Sequence, residues 1–286
     1  MNKNFRTWLK NQNINVIEGS YYRQEANGYV HFYYLSPQKD NFNTVMFIHG
    51  TGNDGLFLTE NLFSTLIKDG YNIFTFDIDG HGSKSTSKLF HAQLESCILS
   101  AYNQLVNKIG TPNGLHIIGY SVGGLLALQE LSKRRIPIQK LICIATPFHL
   151  SLKPKQIYKE IFTLTQKDFY NFARTWGIYS LFPAFGPFNR RRFPIRMGNR
   201  SEGSWSYINF MKKFIHEKDW TDLDINGSDQ LMGLFGKKDL IADTKKAVET
   251  FKHWQQSELI VVPNATHFSI TLSGQALGHI TKFLQA

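Results

Sequence analysis

The feature that most constrains the fold of this chain is the segment Gly-Tyr-Ser-Val-Gly at residues 119–123. An apolar run precedes it, and a helix-like run follows it. A serine at a sharp turn from strand to helix needs neighbours with little or no side chain, and Gly119, Gly123 and Gly124 meet that need. The segment therefore predicts a strained turn that presents the Ser121 hydroxyl above a sheet, close to free N–H groups of a helix. An ordinary glycine-rich turn is the alternative.

A serine hydroxyl is a weak nucleophile near neutral pH, so chemistry at Ser121 requires a histidine base and a carboxylate that orients it. Asp239 comes just after an apolar, strand-like run, and His267 lies in the loop after the next such run. Carboxylates at strand ends face the ligand-binding edge of a parallel sheet. A competing carboxylate, Asp243, precedes an amphipathic run and is predicted to cap a helix. The sequence thus predicts Ser121, His267 and Asp239 as a catalytic triad.

Two further segments carry motifs. Residues 46–52 end a strand-like run in His-Gly-Thr-Gly, and residues 76–85 contain Asp-Ile-Asp-Gly-His-Gly. Taken in order with the predicted triad, these segments resemble the α/β-hydrolase superfamily over residues 30–284, in particular its serine hydrolases with a helical cap. The order of serine, aspartate and histidine along the chain is the one that this superfamily uses. The resemblance implies that the backbone N–H groups of Thr51 and Val122 form an oxyanion hole.

The pattern of apolar residues predicts an α/β fold with a mostly parallel sheet, covered by helices on both faces. Alternating aromatic and β-branched residues at 14–36 indicate an antiparallel hairpin that leads the sheet. Strand patterns then alternate with helical patterns. We expect strands near 44–48, 73–77, 115–119, 140–145, 230–236 and 258–262, and helices near 55–69, 88–109, 122–134, 242–254 and 269–284.

The alternation stops after Thr146, and about eighty residues pass without a clear strand, which is too long for a simple connection. We therefore predict a core domain made of residues 1–146 and 226–286, interrupted by an inserted, mainly helical cap at residues 147–225. The resemblance implies the same, because α/β-hydrolases commonly carry a helical lid at this point.

The predicted cap is basic and aromatic. Residues 151–220 hold thirteen Lys and Arg against five Asp and Glu, so most of the formal net charge of +10 falls there. They also hold sixteen of the forty aromatic residues, which either form the core of the cap or line an apolar acyl pocket over Ser121. Basic residues around such a pocket would attract an anionic or lipid-like substrate, or bring the cap into peripheral contact with an anionic membrane. A solvated basic face is the alternative.

Composition narrows the class of protein further. The charged start of the chain lacks the apolar segment of a signal peptide, and no apolar run approaches the roughly 20 residues that span a bilayer. We therefore expect a cytoplasmic protein without an integral membrane segment.

Cys97 and Cys143 fit no metal or redox spacing, so neither a metal nor a cofactor is predicted. No recognised nucleic-acid module surrounds the arginine cluster at 190–192, so no nucleic-acid partner is predicted.

The combined prediction is a serine hydrolase that cleaves an ester or thioester with an apolar acyl group through an acyl-enzyme. One alternative is an acyltransferase that passes the same acyl group to an alcohol or amine. Another is a non-catalytic member of the fold that binds a small apolar ligand. His49, His81, Asp77 and Asp79 are expected to stabilise turns rather than to take part in the chemistry. The sequence leaves the acyl length, the leaving group and the oligomeric state open.

Overall fold

The computed structural model describes residues 1, 3–37, 43–51, 54–56, 59–149, 196, 198, 204–225, 230–254 and 257–286, with the backbone alone at 91–93 and 204–208. Most of the predicted cap at residues 147–225 lies outside the described residues. The prediction of an inserted helical domain there therefore stays a prediction.

The described residues form a mixed sheet of eight strands in the order β1-β2-β4-β3-β5-β6-β7-β8. β1 pairs antiparallel with β2, and β2 pairs antiparallel with β4, whereas every pairing from β4 to β8 is parallel. This confirms the predicted mostly parallel sheet led by a hairpin. The strands are β1 (Ile14–Arg23), β2 (Gly28–Pro37), β3 (Asn43–Ile48), β4 (Asn72–Phe76), β5 (Gly114–Tyr120), β6 (Ile138–Ile144), β7 (Gln230–Gly236) and β8 (Ser257–Val262).

Helices cover both faces of the sheet, as predicted. Side chains alternate between faces along each strand, so Met46 and Ile48 pack into one apolar cluster while Val45 and Phe47 pack into the other. The described helices are α1 (Lys3–Asn11), α2 (Glu60–Lys68), α3 (Cys97–Ile109), α4 (Val122–Lys133), α5 (Ser204–His216), α6 (Thr244–Phe251) and α7 (Gly274–Gln285). In the first cluster lie residues of α3, α4 and α6, and in the second lie residues of α1, α2 and α7.

The structure adds one helix that the sequence patterns did not predict. α1 buries only Phe5 and Leu9, four residues apart on one face, and its other residues are mostly polar or charged. The predicted helix at 88–109 also divides into a 3-10 helix, His91–Ser96, and α3. Among the described helices, none has the length and apolar composition that a membrane crossing requires.

The parallel pairing of β3 to β8 determines where the candidate residues lie. Parallel strands end at the same edge of a sheet, so the loops after β3, β4, β5, β7 and β8 are neighbours. His49, Asp77, Ser121, Asp239 and His267 all belong to these loops. One edge of the sheet therefore gathers the predicted triad together with the two other motifs.

Candidate active site

Ser121 lies at a strained turn between β5 and α4. Its φ of 53° and ψ of −122° place a non-glycine residue in a backbone region that costs of order 1–3 kcal/mol. The Ser121 N–H donates to the carbonyl oxygen of Ile144 at 2.8 Å, which ties the turn to the end of β6. The sheet and the helix therefore hold the serine in this conformation.

The glycines around Ser121 are required by close packing. A Cβ atom on Gly119 would lie 2.6 Å from the carbonyl oxygen of Gly123, and one on Gly123 would lie 2.3 Å from the carbonyl oxygen of Ile48. A Cβ atom on Gly124 would lie 1.9 Å from the Thr146 hydroxyl. The turn thus has no room for side chains at these positions.

The structure brings Ser121, His267 and Asp239 together in one hydrogen-bonded series. His267 Nε2 lies 3.2 Å from Ser121 Oγ, and His267 Nδ1 lies 2.9 Å from Asp239 Oδ2. Because a carboxylate accepts hydrogen bonds, its position assigns the imidazole proton to Nδ1 and leaves Nε2 as the acceptor for the serine hydroxyl. The arrangement can therefore move a proton from Ser121 to His267.

Asp239 is held by the turn that follows β7. Its Oδ1 accepts hydrogen bonds from the N–H groups of Ile241 and Ala242, each at 2.8 Å, so Oδ2 faces His267. The Asp239 side chain has no solvent exposure, and that of His267 has 5%. The competing carboxylate, Asp243, caps α6 instead and accepts from the backbone N–H groups of its first turn.

The two predicted oxyanion donors lie at the start of α4 and in the turn after β3. Val122 is the first residue of α4, so its N–H has no carbonyl partner within the helix. Thr51 is half-buried in the turn after β3, and the preceding Gly50 packs so closely that a Cβ atom there would lie 2.9 Å from Cβ of Ser121. Gly52, the next residue along the chain, lies outside the described residues. The oxyanion role of Thr51 and Val122 stays a prediction.

A second group of histidines and aspartates lies beside the triad, in the loops after β3 and β4. We refer to His49, Asp77, Asp79 and His81 as the loop cluster. His49 donates from Nδ1 to the carbonyl of Gly50 at 2.7 Å and accepts the N–H of Ile78 at Nε2, at 2.8 Å. Burial lowers the pKa of His49 from 6.5 to about 4, so the ring is neutral and joins the two loops.

The other members of the loop cluster also bond to nearby groups. His81 donates from Nδ1 to the carbonyl of Asp79 at 2.9 Å, and burial lowers its pKa to about 3. Asp77 accepts the Ser85 hydroxyl at 2.7 Å and the Gly55 N–H at 3.3 Å, and burial raises its pKa to about 7. Asp77 and His81 therefore hold the loop after β4 in place.

Two arginine contacts were missed by the sequence patterns. Arg23, at the end of β1, forms a buried ion pair with Asp79, with 2.8 Å between Nε and Oδ2. Arg196 was counted among the basic residues of the cap, but its guanidinium donates to the carbonyls of His81, Gly82 and Ser87 at 2.8–3.0 Å. The partners lie 56 or more residues away along the chain, so no local motif marks either contact.

One more contact at the site could not be predicted from a sequence motif. Tyr120, the residue before Ser121, donates its buried hydroxyl to the carbonyl oxygen of His267 at 3.0 Å.

Within the described residues, no three His, Cys, Asp or Glu side chains cluster as metal ligands.

Comparison with known proteins agrees with this architecture. The sequence profile of the alpha/beta hydrolase fold family matches residues 43–272 of the chain. Among curated proteins, the chain is similar to an Arabidopsis thaliana protein named probable lysophospholipase BODYGUARD 4, with 26% identity over 156 residues. That match covers 51% of this chain and 33% of the relative, so the chain spans only about a third of the relative's length.

Solved structures share the fold along almost the whole chain. An esterase of Pyrococcus furiosus superposes with a TM-score of 0.64 at 17% identity, over 96% of this chain and 92% of that one. The 2-hydroxy-6-oxo-6-phenylhexa-2,4-dienoate hydrolase of Rhodococcus sp. strain RHA1 also gives 0.64, at 16% identity, over 96% of this chain and 100% of that one. At such identities the likeness shows the fold alone.

Proposed function

The chain belongs to the alpha/beta hydrolase fold family, and from that premise we propose that it is a serine hydrolase that cleaves an ester or thioester with an apolar acyl group. The observation that carries the proposal is the hydrogen-bonded series from Ser121 through His267 to Asp239, with contacts of 3.2 and 2.9 Å. The names of two similar proteins, an esterase and a probable lysophospholipase, support an ester as the substrate.

In the proposed mechanism, His267 removes the proton of the Ser121 hydroxyl while Ser121 Oγ attacks the substrate carbonyl. Asp239 holds the imidazole in the tautomer that makes Nε2 the base. The N–H groups of Thr51 and Val122 stabilise the negative charge on the carbonyl oxygen of the tetrahedral intermediate. His267 then protonates the leaving group, and water releases the acyl group from Ser121 by the reverse series of steps.

We also propose the division into a core, residues 1–146 and 226–286, and a cap, residues 147–225. The aromatic residues of the cap would then cover the acyl group, and its basic residues would favour an anionic or lipid-like substrate. Both statements rest on sequence composition.

The test is hydrolysis of p-nitrophenyl esters from acetate to palmitate, with acyl thioesters of matching length, by wild type and Ser121→Ala. Ser64→Ala, which removes a serine from the exposed side of α2, is the matched control. We expect Ser121→Ala to lose turnover and labelling by a fluorophosphonate, whereas Ser64→Ala keeps both. Full retention of turnover by Ser121→Ala overturns the proposal.

The same assay separates hydrolysis from acyl transfer. Products are analysed with and without an added alcohol or amine. Release of the free acid under both conditions supports a hydrolase, and quantitative formation of a new ester or amide identifies an acyltransferase with the same acyl-enzyme. Tight binding of a ligand without labelling at Ser121 would indicate a non-catalytic member of the fold.

A further inference from the structure

Tyr120 connects the strand of the nucleophile to the loop of the base. It is the last residue of β5, directly before Ser121, and only 4% of its surface is exposed. Its hydroxyl donates to the carbonyl oxygen of His267 at 3.0 Å, and its ring centroid lies 5.5 Å from the imidazole centroid. The side chain therefore spans the distance between the two residues that exchange the proton.

The same ring also packs against the turn after β3. A Cβ atom on Gly50 would lie 3.1 and 3.2 Å from Cδ1 and Cε1 of Tyr120, and 2.9 Å from Cβ of Ser121. Gly50 directly precedes Thr51, the predicted oxyanion donor. Tyr120 thus contacts the loop of the base on one side and the turn of the oxyanion donor on the other.

The loop that carries His267 is also held by two other main-chain hydrogen bonds. Before the histidine, the Lys238 N–H donates to the carbonyl of Ala265 at 3.0 Å. Around it, the Ile270 N–H donates to the carbonyl of Thr266, the residue before His267, at 3.2 Å. The bond from Tyr120 differs because it acts on the main chain of His267 itself and connects it to the neighbour of Ser121.

We propose that Tyr120 is a positioning residue, which sets the distance between His267 Nε2 and Ser121 Oγ through the hydrogen bond from its hydroxyl to the His267 main chain. The inference rests on the proposed function, because it assigns His267 as the base. A proton is transferred efficiently only over a well-defined short distance, and small displacements of a catalytic group slow the chemical step. Tyr120 acts through His267 and does not itself touch the reacting atoms.

The test compares Tyr120→Phe with a matched control at Tyr71. The Tyr71 hydroxyl is also buried and also donates to a main-chain carbonyl at 3.0 Å, but its acceptor is Leu284 in α7. Both variants keep the aromatic ring and lose one hydrogen bond of the same kind. We expect kcat of Tyr120→Phe to fall about 10-fold with KM unchanged, and kcat of Tyr71→Phe to stay at the wild-type value.

A double-mutant cycle shows whether the effect passes through His267. The measured rate is fluorophosphonate labelling of Ser121, which needs an activated hydroxyl. We expect Tyr120→Phe to slow labelling in the wild-type background but to change it by less than about 2-fold in the His267→Ala background. An equal slowing in both backgrounds, or an unchanged kcat in Tyr120→Phe, overturns the inference.

A readout without turnover separates this inference from the proposed function. Tyr120→Phe should move the imidazole NMR resonances of His267, and Tyr71→Phe should leave them in place. Unmoved resonances in Tyr120→Phe overturn the positioning role, whatever the turnover of Ser121→Ala. Retained turnover in Ser121→Ala overturns the proposed function and, with it, the assignment of His267 as the base.

Discussion

The proposed triad after β5, β7 and β8 and the loop cluster after β3 and β4 both contain histidine and aspartate at the same edge of the sheet. In the triad, His267 Nε2 faces the Ser121 hydroxyl. In the loop cluster, His49 Nε2 accepts a backbone N–H, from Ile78. The chemical capacity of a buried histidine therefore depends on the partner of its second ring nitrogen, not on its presence in a motif.

Burial also determines the charge of the histidines in the loop cluster. It lowers the pKa of His49 to about 4 and that of His81 to about 3, so both rings are neutral at physiological pH and their N–H donors serve backbone carbonyls. Such rings stabilise the loops on which an active site depends. In the triad, Asp239 instead orients a ring whose other nitrogen contacts a hydroxyl.

The largest expected difference between the two groups is in the effect on kcat when a histidine is replaced by alanine. We expect His267→Ala to lower kcat by about 10⁴- to 10⁶-fold, because it removes the proposed base. His81→Ala should instead destabilise the fold by about 1–3 kcal/mol, since it removes a buried hydrogen bond, and should retain most of kcat. Ester hydrolysis and urea unfolding measure both quantities. A loss of kcat in His81→Ala as large as that in His267→Ala would contradict a purely structural role for His81.

The same substitution can be made in a carboxylate of each group. Asp239→Asn should lower kcat by about 10⁴-fold, because an amide no longer holds the imidazole in the useful tautomer. Asp77→Asn should leave kcat within about 10-fold of wild type, because Asp77 bonds to Ser85 and Gly55 and not to His267. Steady-state kinetics at neutral pH compare the two variants. Equal losses would show that the loop cluster takes part in the chemistry.

Asp79→Asn tests the buried ion pair of the loop cluster. The Arg23 side chain is 1% exposed and that of Asp79 is 2% exposed, so removal of the carboxylate leaves a buried cation without its counter-charge. We expect the free energy of unfolding to fall by about 3–5 kcal/mol. The control is Glu249→Gln, which removes a mostly exposed ion pair with Lys246 and should change stability little. Comparable stabilities of the two variants would contradict a structural role for the buried pair.

A further expected effect is a change in the pH dependence of stability. Burial raises the pKa of Asp77 from 3.8 to about 7, so the folded state holds a proton that the unfolded state has lost between these values. Its contribution to stability is therefore complete below pH 3.8 and is lost as the pH rises through 7. The lowered pKa values of His49 and His81 act in the opposite direction, because the unfolded state gains protons as the pH falls below 6.5.

Asp77→Asn removes the carboxylate contribution and keeps those of the histidines. Relative to wild type, the variant should gain about 1.4 kcal/mol per pH unit between pH 4 and pH 7, with no further gain above that range. Urea unfolding at intervals across this range measures the difference. A constant difference at every pH would show that Asp77 is ionised in the folded state throughout.

Much of the fold could be predicted from the sequence because parallel strands buried on both faces produce continuous apolar runs. The predicted positions of β3 to β8 agree closely with the structure. α1 was missed because its apolar face consists mainly of Phe5 and Leu9 among charged residues. The division of the predicted 88–109 helix was missed because a 3-10 helix and an α-helix have similar spacings of apolar residues along the sequence.

The sequence by itself determined the rhythm of strands and helices, the glycine-flanked turn at Ser121 and the loops that carry Asp239 and His267. Only the tertiary structure decided which histidine meets a hydroxyl, which aspartate is paired with an arginine and where the Tyr120 hydroxyl binds. The contacts of His267 join residues 28 and 146 positions apart. Local sequence patterns indicate which face of a helix or strand is buried. The hydrogen-bond partners and the charge state of a buried side chain depend on distant segments, which meet only when the chain folds.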